Sequence, residues 1–196
     1  MQFLVNQCYT WEGYHLVQAL LEDGHEVTGL HEEDLSEKEM HLSMYLARHA
    51  MFSEGLQGKQ YDAAIGFFGS AAKRAESNRH VDISYEAAEE SMRGNQILLP
   101  ILYGEWMPRN EEAVIWNDRL IPFQDDYFLQ HALPITSVMQ TISKLLAAGR
   151  EMEGYRIYAE EVCPEQEDRS IIAIKRNISD DLKVLHKHYG QYSRFY

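Results

Sequence analysis

The chain has 196 residues, 45% of them hydrophobic and 25% charged, and a formal net charge of −13. That length suits one compact domain, or one domain with a small appendage, and a core that needs no disulfide or structural metal. The acidic balance excludes a general affinity for nucleic acid or an anionic membrane, because both require cationic surface.

QFLVN at the start is short, apolar and strand-like, with no basic leader ahead of it, so it does not read as a signal peptide. Tyr14, Val17, Leu20 and Leu21 then recur at helical spacing, Leu16 widens the apolar face, and Gly24 offers a helix stop. HEVTGL is a second strand, so the opening thirty residues predict a βαβ unit. Residues 32–52 read as a helix with Leu42, Tyr45, Leu46 and His49 on one stripe, and its acidic run EEDLSEKE is a solvated helix start. YDAAIGFFG is a third strand, apolar throughout as a covered parallel strand should be.

Residues 71–94 have a polar, helical pattern ending at Gly94. NQILLPILYG is a fourth apolar run, which Pro100 places at an edge or bulge. Residues 105–133 are irregular and aromatic, with one short strand at AVIW. PITSVMQTISKLLAAG predicts a helix from Pro134 to a stop at Gly149. YRIYAEEV and SIIAIKR are two strands joined by an acidic turn at 164–168, and DDLKVLHKHYG is a closing helix. The expected architecture is α/β: a Rossmann-like parallel sheet flanked by helices over 1–149, and a small C-terminal α+β extension over 150–196 packed on it as a cap.

No apolar run approaches the roughly 20 residues that span a bilayer. Cys8 and Cys163 are too few for a disulfide framework or a thiolate zinc site, and a reducing, cytoplasmic setting is expected.

HLVQALLEDGHEVTGL, from His15 to Leu30, closely resembles the opening of the extended short-chain dehydrogenase/reductase family, the NAD-dependent epimerases and dehydratases. LLPILYGEWMPRN is similar to that family's strand leading into a YGP-type loop, and PITSVMQTISKLLAAG to its VDDV-type helix. The resemblance implies a parallel nucleotide-binding sheet, a dinucleotide cofactor, a nucleotide or sugar-nucleotide ligand and a homodimer. The chain is short for the family. Between YDAAIGFFG and ILLPILYG there is too little chain for the usual helices plus the strand that presents a catalytic serine, so a deletion in the middle of the fold is expected.

The departures are specific. The family's GxxGxxG turn falls on Gln7, Thr10 and Gly13. In such a turn the first glycine permits the bend, the second admits the pyrophosphate, and the third lets helix and strand pack closely. Only the packing glycine remains. A side chain at Thr10 takes pyrophosphate space, and Glu12 adds negative charge where a helix N-terminus would attract phosphate. The ribose-binding acid falls at His31, with Glu32 and Glu33 beside it. Thr10, Gly13 and His31 are thus the candidate, degenerate cofactor residues. No cofactor is expected, and NAD or NADP would bind only if this site functions.

The family's YxxxK motif uses a lysine to favour the tyrosinate that acts as base. Its nearest counterpart here runs from Tyr85 to Glu89, with a carboxylate in the lysine slot that opposes ionisation. Tyr85 is therefore expected as a helix residue near a polar surface, and no catalytic residue is assigned. Ser70 and Ser84 sit in no GxSxG elbow and read as loop or cap serines. His41 and His49 are eight apart, so not on adjacent turns, no HExxH occurs, and His186 and His188, two apart, point to different helix faces, so no metal is expected. Trp106 and Trp116 suit core or loop anchoring better than a sugar pocket. These features together suggest a non-catalytic relative that binds a small ligand or a protein partner. The alternatives are a divergent NAD(P)-dependent sugar-nucleotide epimerase or reductase, and an enzyme of unrelated chemistry using the crevice at the strand C-termini.

Overall fold

A computed structural model of the protein describes residues 1–31, 34–69, 76–85, 94–117, 119–149, 154–164 and 170–196. The opening unit is β1 (Gln2–Asn6), α1 (Trp11–Glu22) and β2 (Glu26–Leu30), followed by α2 (Glu37–Leu46), β3 (Phe52–Glu54) and β4 (Ala63–Phe67). Then come β5 (His80–Tyr85), β6 (Gln96–Leu99), β7 (Leu102–Tyr103), β8 (Ala113–Trp116) and β9 (Arg119–Pro122). The chain closes through α3 (Asp126–His131), β10 (Leu133–Pro134), α4 (Ile135–Ala147), β11 (Tyr155–Ala159), β12 (Ile171–Ile174) and α5 (Ile178–Tyr192).

Eight strands form one sheet in the order β12-β11-β6-β5-β4-β1-β2-β3, and every pairing in it is parallel. From β3 to β6 this is the doubly wound order 3-2-1-4-5-6, whose direction reverses between β1 and β4. The fold is Rossmann-like, with β11 and β12 lengthening the same sheet and α5 closing the chain. Ligands in such sheets meet the loops at the strand carboxyl ends beside the reversal, here 7–10 after β1 and 68–69 after β4.

The sheet is two-faced. Phe3, Val5, Ala63, Ile65, Phe67, Val81, Ile83, Ile97 and Leu99 alternate onto one side and join the main core with α1 and α4. The opposite side contributes a cluster of Leu4, Tyr61 and Ala64. α1 packs against the sheet, α2 and α4 together, which is why it is buried on nearly every side. Full burial of a side chain such as Leu20 is worth roughly 1.5–3 kcal/mol, so this helix anchors the domain.

Several expectations are corrected. The helix expected over 32–52 occupies only Glu37–Leu46, started by a capping box of Ser36 and Glu39, and β3 follows it. On its stripe Leu42 and Leu46 are buried, whereas Tyr45 is exposed and His49 lies beyond the end. Within the expected helix 71–94, HVDISY is instead β5, because Val81 and Ile83 alternate into the core; residues 71–75 and 86–93 lie outside the described residues. The strand expected to be deleted is therefore present: β5 stands between β4 and β6 and carries Ser84. NQILLPILYG divides at Pro100 into β6, in the sheet interior, and β7, which pairs with β10. Pro100 interrupts the run rather than marking an edge. β11 and β12 pair in parallel, which a tight turn cannot connect, and residues 165–169 between them lie outside the described residues.

Candidate functional site

The β1–α1 turn keeps a left-handed backbone where Gln7 stands in a glycine slot. Gln7 holds φ at +55°, the left-handed conformation that glycine ordinarily supplies. Its carbonyl accepts from the Thr10 amide at 3.1 Å and the Thr10 hydroxyl at 2.9 Å. Thr10 is the N-cap of α1, and its Oγ1 also accepts from the Gly13 amide at 3.2 Å. A β-carbon on Gly13 would lie 2.1 Å from the Gln7 carbonyl oxygen, so any side chain there collides with backbone. Thr10 thus spends its hydroxyl bracing the turn.

Glu12 lies in the first turn of α1 and is only 8% exposed. The Tyr85 hydroxyl, from the end of β5, donates to Glu12 Oε1 at 2.5 Å. Burial raises the Glu12 pKa, against the opposing effects of that hydrogen bond and of Lys38. Burial and then the Glu12 charge hold the Tyr85 hydroxyl well above the usual phenol range. Lys38, on α2, is pushed down to about 8 by burial while Glu12 pulls it back up. The Tyr85 ring stacks on Phe68 at 5.1 Å and meets Trp116 edge-on at 5.9 Å. Tyr85 is therefore a strand residue packed among aromatics, not a helix residue, and it is held as a proton donor. Glu89, in the lysine slot, lies outside the described residues, as do Glu32, Glu33 and Ser70. Ser84 Oγ accepts from Gln96 Nε2 at 3.2 Å.

Tyr9 is 1% exposed, and its ring lies 5.1 Å from that of His31. Its hydroxyl donates to Glu54 Oε1. Thr10 and His31 come together on one cavity of about 150 Å³, with Gln7, Tyr9, Asp34 and Glu39 completing the polar wall. Gly13 does not line it. Pockets that enclose organic ligands usually measure about 300–1,000 Å³. The cavity is smaller than that, and Asp34 and Glu39 make its wall acidic; Glu12, turned to Tyr85, does not line it.

A larger cavity, of about 730 Å³, lies among the residues after β7, the residues after β12, and the first turns of α4 and α5. Its polar wall includes His15, Tyr103, Thr136, Ser137, Lys175 and Asp181. The Tyr103 hydroxyl donates to Asp181 Oδ2 at 2.6 Å. Arg176 also borders the cavity, but its guanidinium is committed to the Leu129 and Gln130 carbonyls at 2.7 Å and to the Ala132 carbonyl. Sequence reading missed this site. His15 stood inside a helix motif, and nothing in the spacing of Tyr103, Ser137 and Lys175 joins them before the sheet does.

Among the described residues, no three histidines, cysteines or acids converge to hold a metal. His41 stacks on Phe195 at 4.1 Å, His186 Nδ1 lies 3.0 Å from Arg109 Nη2, and His188 Nδ1 lies 2.6 Å from the Tyr196 hydroxyl. Trp106 is buried against His41, His188, Tyr192 and Tyr196. Also among the described residues, no helix is long and apolar enough to cross a membrane.

No protein-family model matches the sequence, and no curated protein matches it. Solved structures do match in fold. The UDP-N-acetylglucosamine 4-epimerase from Bacillus cereus superposes with a TM-score of 0.52 at 10% identity, covering 95% of this chain and 98% of that one. A nucleoside-diphosphate-sugar epimerase from Pseudomonas aeruginosa gives 0.48 at 8% identity, covering 95% and 84%. At such identities the likeness is one of fold. The Bacillus cereus protein is by name an epimerase of a sugar nucleotide, the group that the opening sequence resembles.

Proposed function

We propose that this chain is a non-catalytic relative of the NAD-dependent epimerases and dehydratases. It keeps the parallel sheet as a scaffold for a ligand or protein partner and has lost tight NAD(P) binding and the hydride chemistry. The observation that carries this reading is the buried Glu12–Tyr85 hydrogen bond. It places a carboxylate at the helix N-terminus that would hold a pyrophosphate, and it uses the nearest counterpart of the catalytic tyrosine as the donor to that carboxylate. A base must give up its proton before it can take one, and the Glu12 charge opposes that loss. The ligand we expect is a small molecule of the nucleotide or sugar-nucleotide kind, or its sugar part, and the setting we expect is cytoplasmic.

A second reading draws on the fold likeness to the Bacillus cereus epimerase: a divergent NAD(P)-dependent epimerase or reductase that holds its cofactor differently. Turnover separates the two. Incubation with UDP-N-acetylglucosamine and NAD⁺ should return the substrate unchanged by NMR. Appearance of the 4-epimer would establish the enzymatic reading instead.

A further inference from the structure

The 730 Å³ cavity presents a divided set of polar groups, and the division defines what it can hold. His15 is 6% exposed, and its ring lines the cavity. Its Nε2 lies 3.1 Å from the Glu105 carbonyl oxygen, which can only accept, so Nε2 carries the proton. Burial lowers the His15 pKa to about 4, so the imidazole is neutral at pH 7 and Nδ1 is a bare acceptor. Nδ1 makes no hydrogen bond among the described residues. Asp181 gives Oδ2 to Tyr103 and keeps Oδ1 for a second donor. These two acceptors can take hydroxyl-type donors from a ligand.

The opposite polarity comes from the other wall. Lys175 is exposed, borders the cavity and forms no ion pair among the described residues. Thr136 and Ser137 bring hydroxyls from the first turn of α4, whose N-cap, Pro134, offers no side-chain acceptor to the helix. Lys175 supplies a cation, and the two hydroxyls can donate beside it, a set that suits anionic oxygen.

We infer that this cavity binds a small polyhydroxylated anion, with hydroxyls on His15 Nδ1 and Asp181 Oδ1 and anionic oxygens on Lys175, Thr136 and Ser137. The anionic group is a phosphate or a carboxylate, since both present the same oxygens to these donors. The inference rests on the ligand-binding reading above, but not on the loss of the cofactor.

Isothermal titration calorimetry on the whole chain tests it with glucose 6-phosphate, gluconate, glucose and inorganic phosphate. At least one hydroxylated anion should bind about tenfold or more tightly than glucose or phosphate alone. The preferred partner between glucose 6-phosphate and gluconate identifies the anionic group. Lys175→Met, an exposed change, should weaken that binding by about tenfold without altering the melting temperature. Ser137→Ala should weaken it about threefold or more. His15→Phe should narrow the gap between glucose 6-phosphate and inorganic phosphate; should that variant not fold, Asp181→Asn reads out the same wall. The inference is overturned if neither hydroxylated anion binds below about 10 mM. Equal binding of inorganic phosphate, or unchanged binding by Lys175→Met, overturns it as well. Tight NAD⁺ binding in the same instrument would refute the non-catalytic reading and leave the cavity result standing on its own.

Discussion

The Tyr85 hydroxyl reaches across from the end of β5 to Glu12 in the first turn of α1, and the two oxygens are 2.5 Å apart. Two polar groups from distant parts of the chain thus satisfy each other. A buried carboxylate at a helix N-terminus is tolerable because the helix dipole and the phenol both favour it, although desolvation prevails and raises its pKa.

That pair makes stability depend on pH. With the folded pKa of Glu12 above its unfolded value, the native state holds its proton more tightly. Its contribution is full below the unfolded pKa of about 4.5 and is lost as pH rises through the folded pKa. Glu12→Gln keeps an acceptor for Tyr85 and removes the charge. Urea denaturation should show the variant more stable than the parent by about 1–2 kcal/mol at pH 8, with the difference vanishing near pH 4. A variant less stable at pH 8 would contradict the burial argument.

Gly13 is held by packing. Gly13→Val drives a β-carbon toward the Gln7 carbonyl, 2.1 Å away, and both elements it joins are central. Overpacking of this kind should cost about 3 kcal/mol, lowering the melting temperature by roughly 6–12 °C. An unchanged melting temperature would show that the turn can open at no cost.

Gln7 and Thr10 answer differently. Gln7→Gly relieves a left-handed backbone at φ +55°, and unfolded-state entropy offsets part of the gain, so stability should change by less than about 1 kcal/mol. Thr10→Gly loses the hydroxyl cap and should cost only a few tenths of a kcal/mol. The double variant should fold. It should recover dinucleotide affinity only when Glu12 is also replaced, because the carboxylate remains at the helix terminus, and fluorescence titration with NADH checks the order of the series.

Much of this was legible in the residues. His15 to Leu30 defines strand, helix and strand by periodicity and Gly24, and Gly13 could be separated from Gln7 and Thr10 by the role each slot plays. What stayed hidden depends on contacts distant in sequence. HVDISY shows alternation over too few residues to outweigh its polar neighbours, so the sequence pattern there predicts a helix where β5 forms. The sequence points to a charge opposing Tyr85 at Glu89, which lies outside the described residues, and gives no sign of the one at Glu12, 73 residues away. The 730 Å³ cavity joins α1 to α5, and no local pattern announces such a meeting.

Arg176 anchors the C-terminal end of α3. Its guanidinium donates to the carbonyls of Leu129, Gln130 and Ala132, and its side chain is almost wholly buried. A lysine cannot reproduce that fork. Arg176→Lys should lower stability by about 2–3 kcal/mol, seen as a shift in denaturation midpoint with unchanged slope. A loss below about 0.5 kcal/mol would mean that water replaces the guanidinium freely.

The closed dinucleotide turn is the central claim, and direct titration tests it. Calorimetric titration of the unmodified chain with NAD⁺, NADH, NADP⁺ and NADPH should show no binding tighter than about 1 mM for any of the four. A dissociation constant in the micromolar range for one of them would contradict the account.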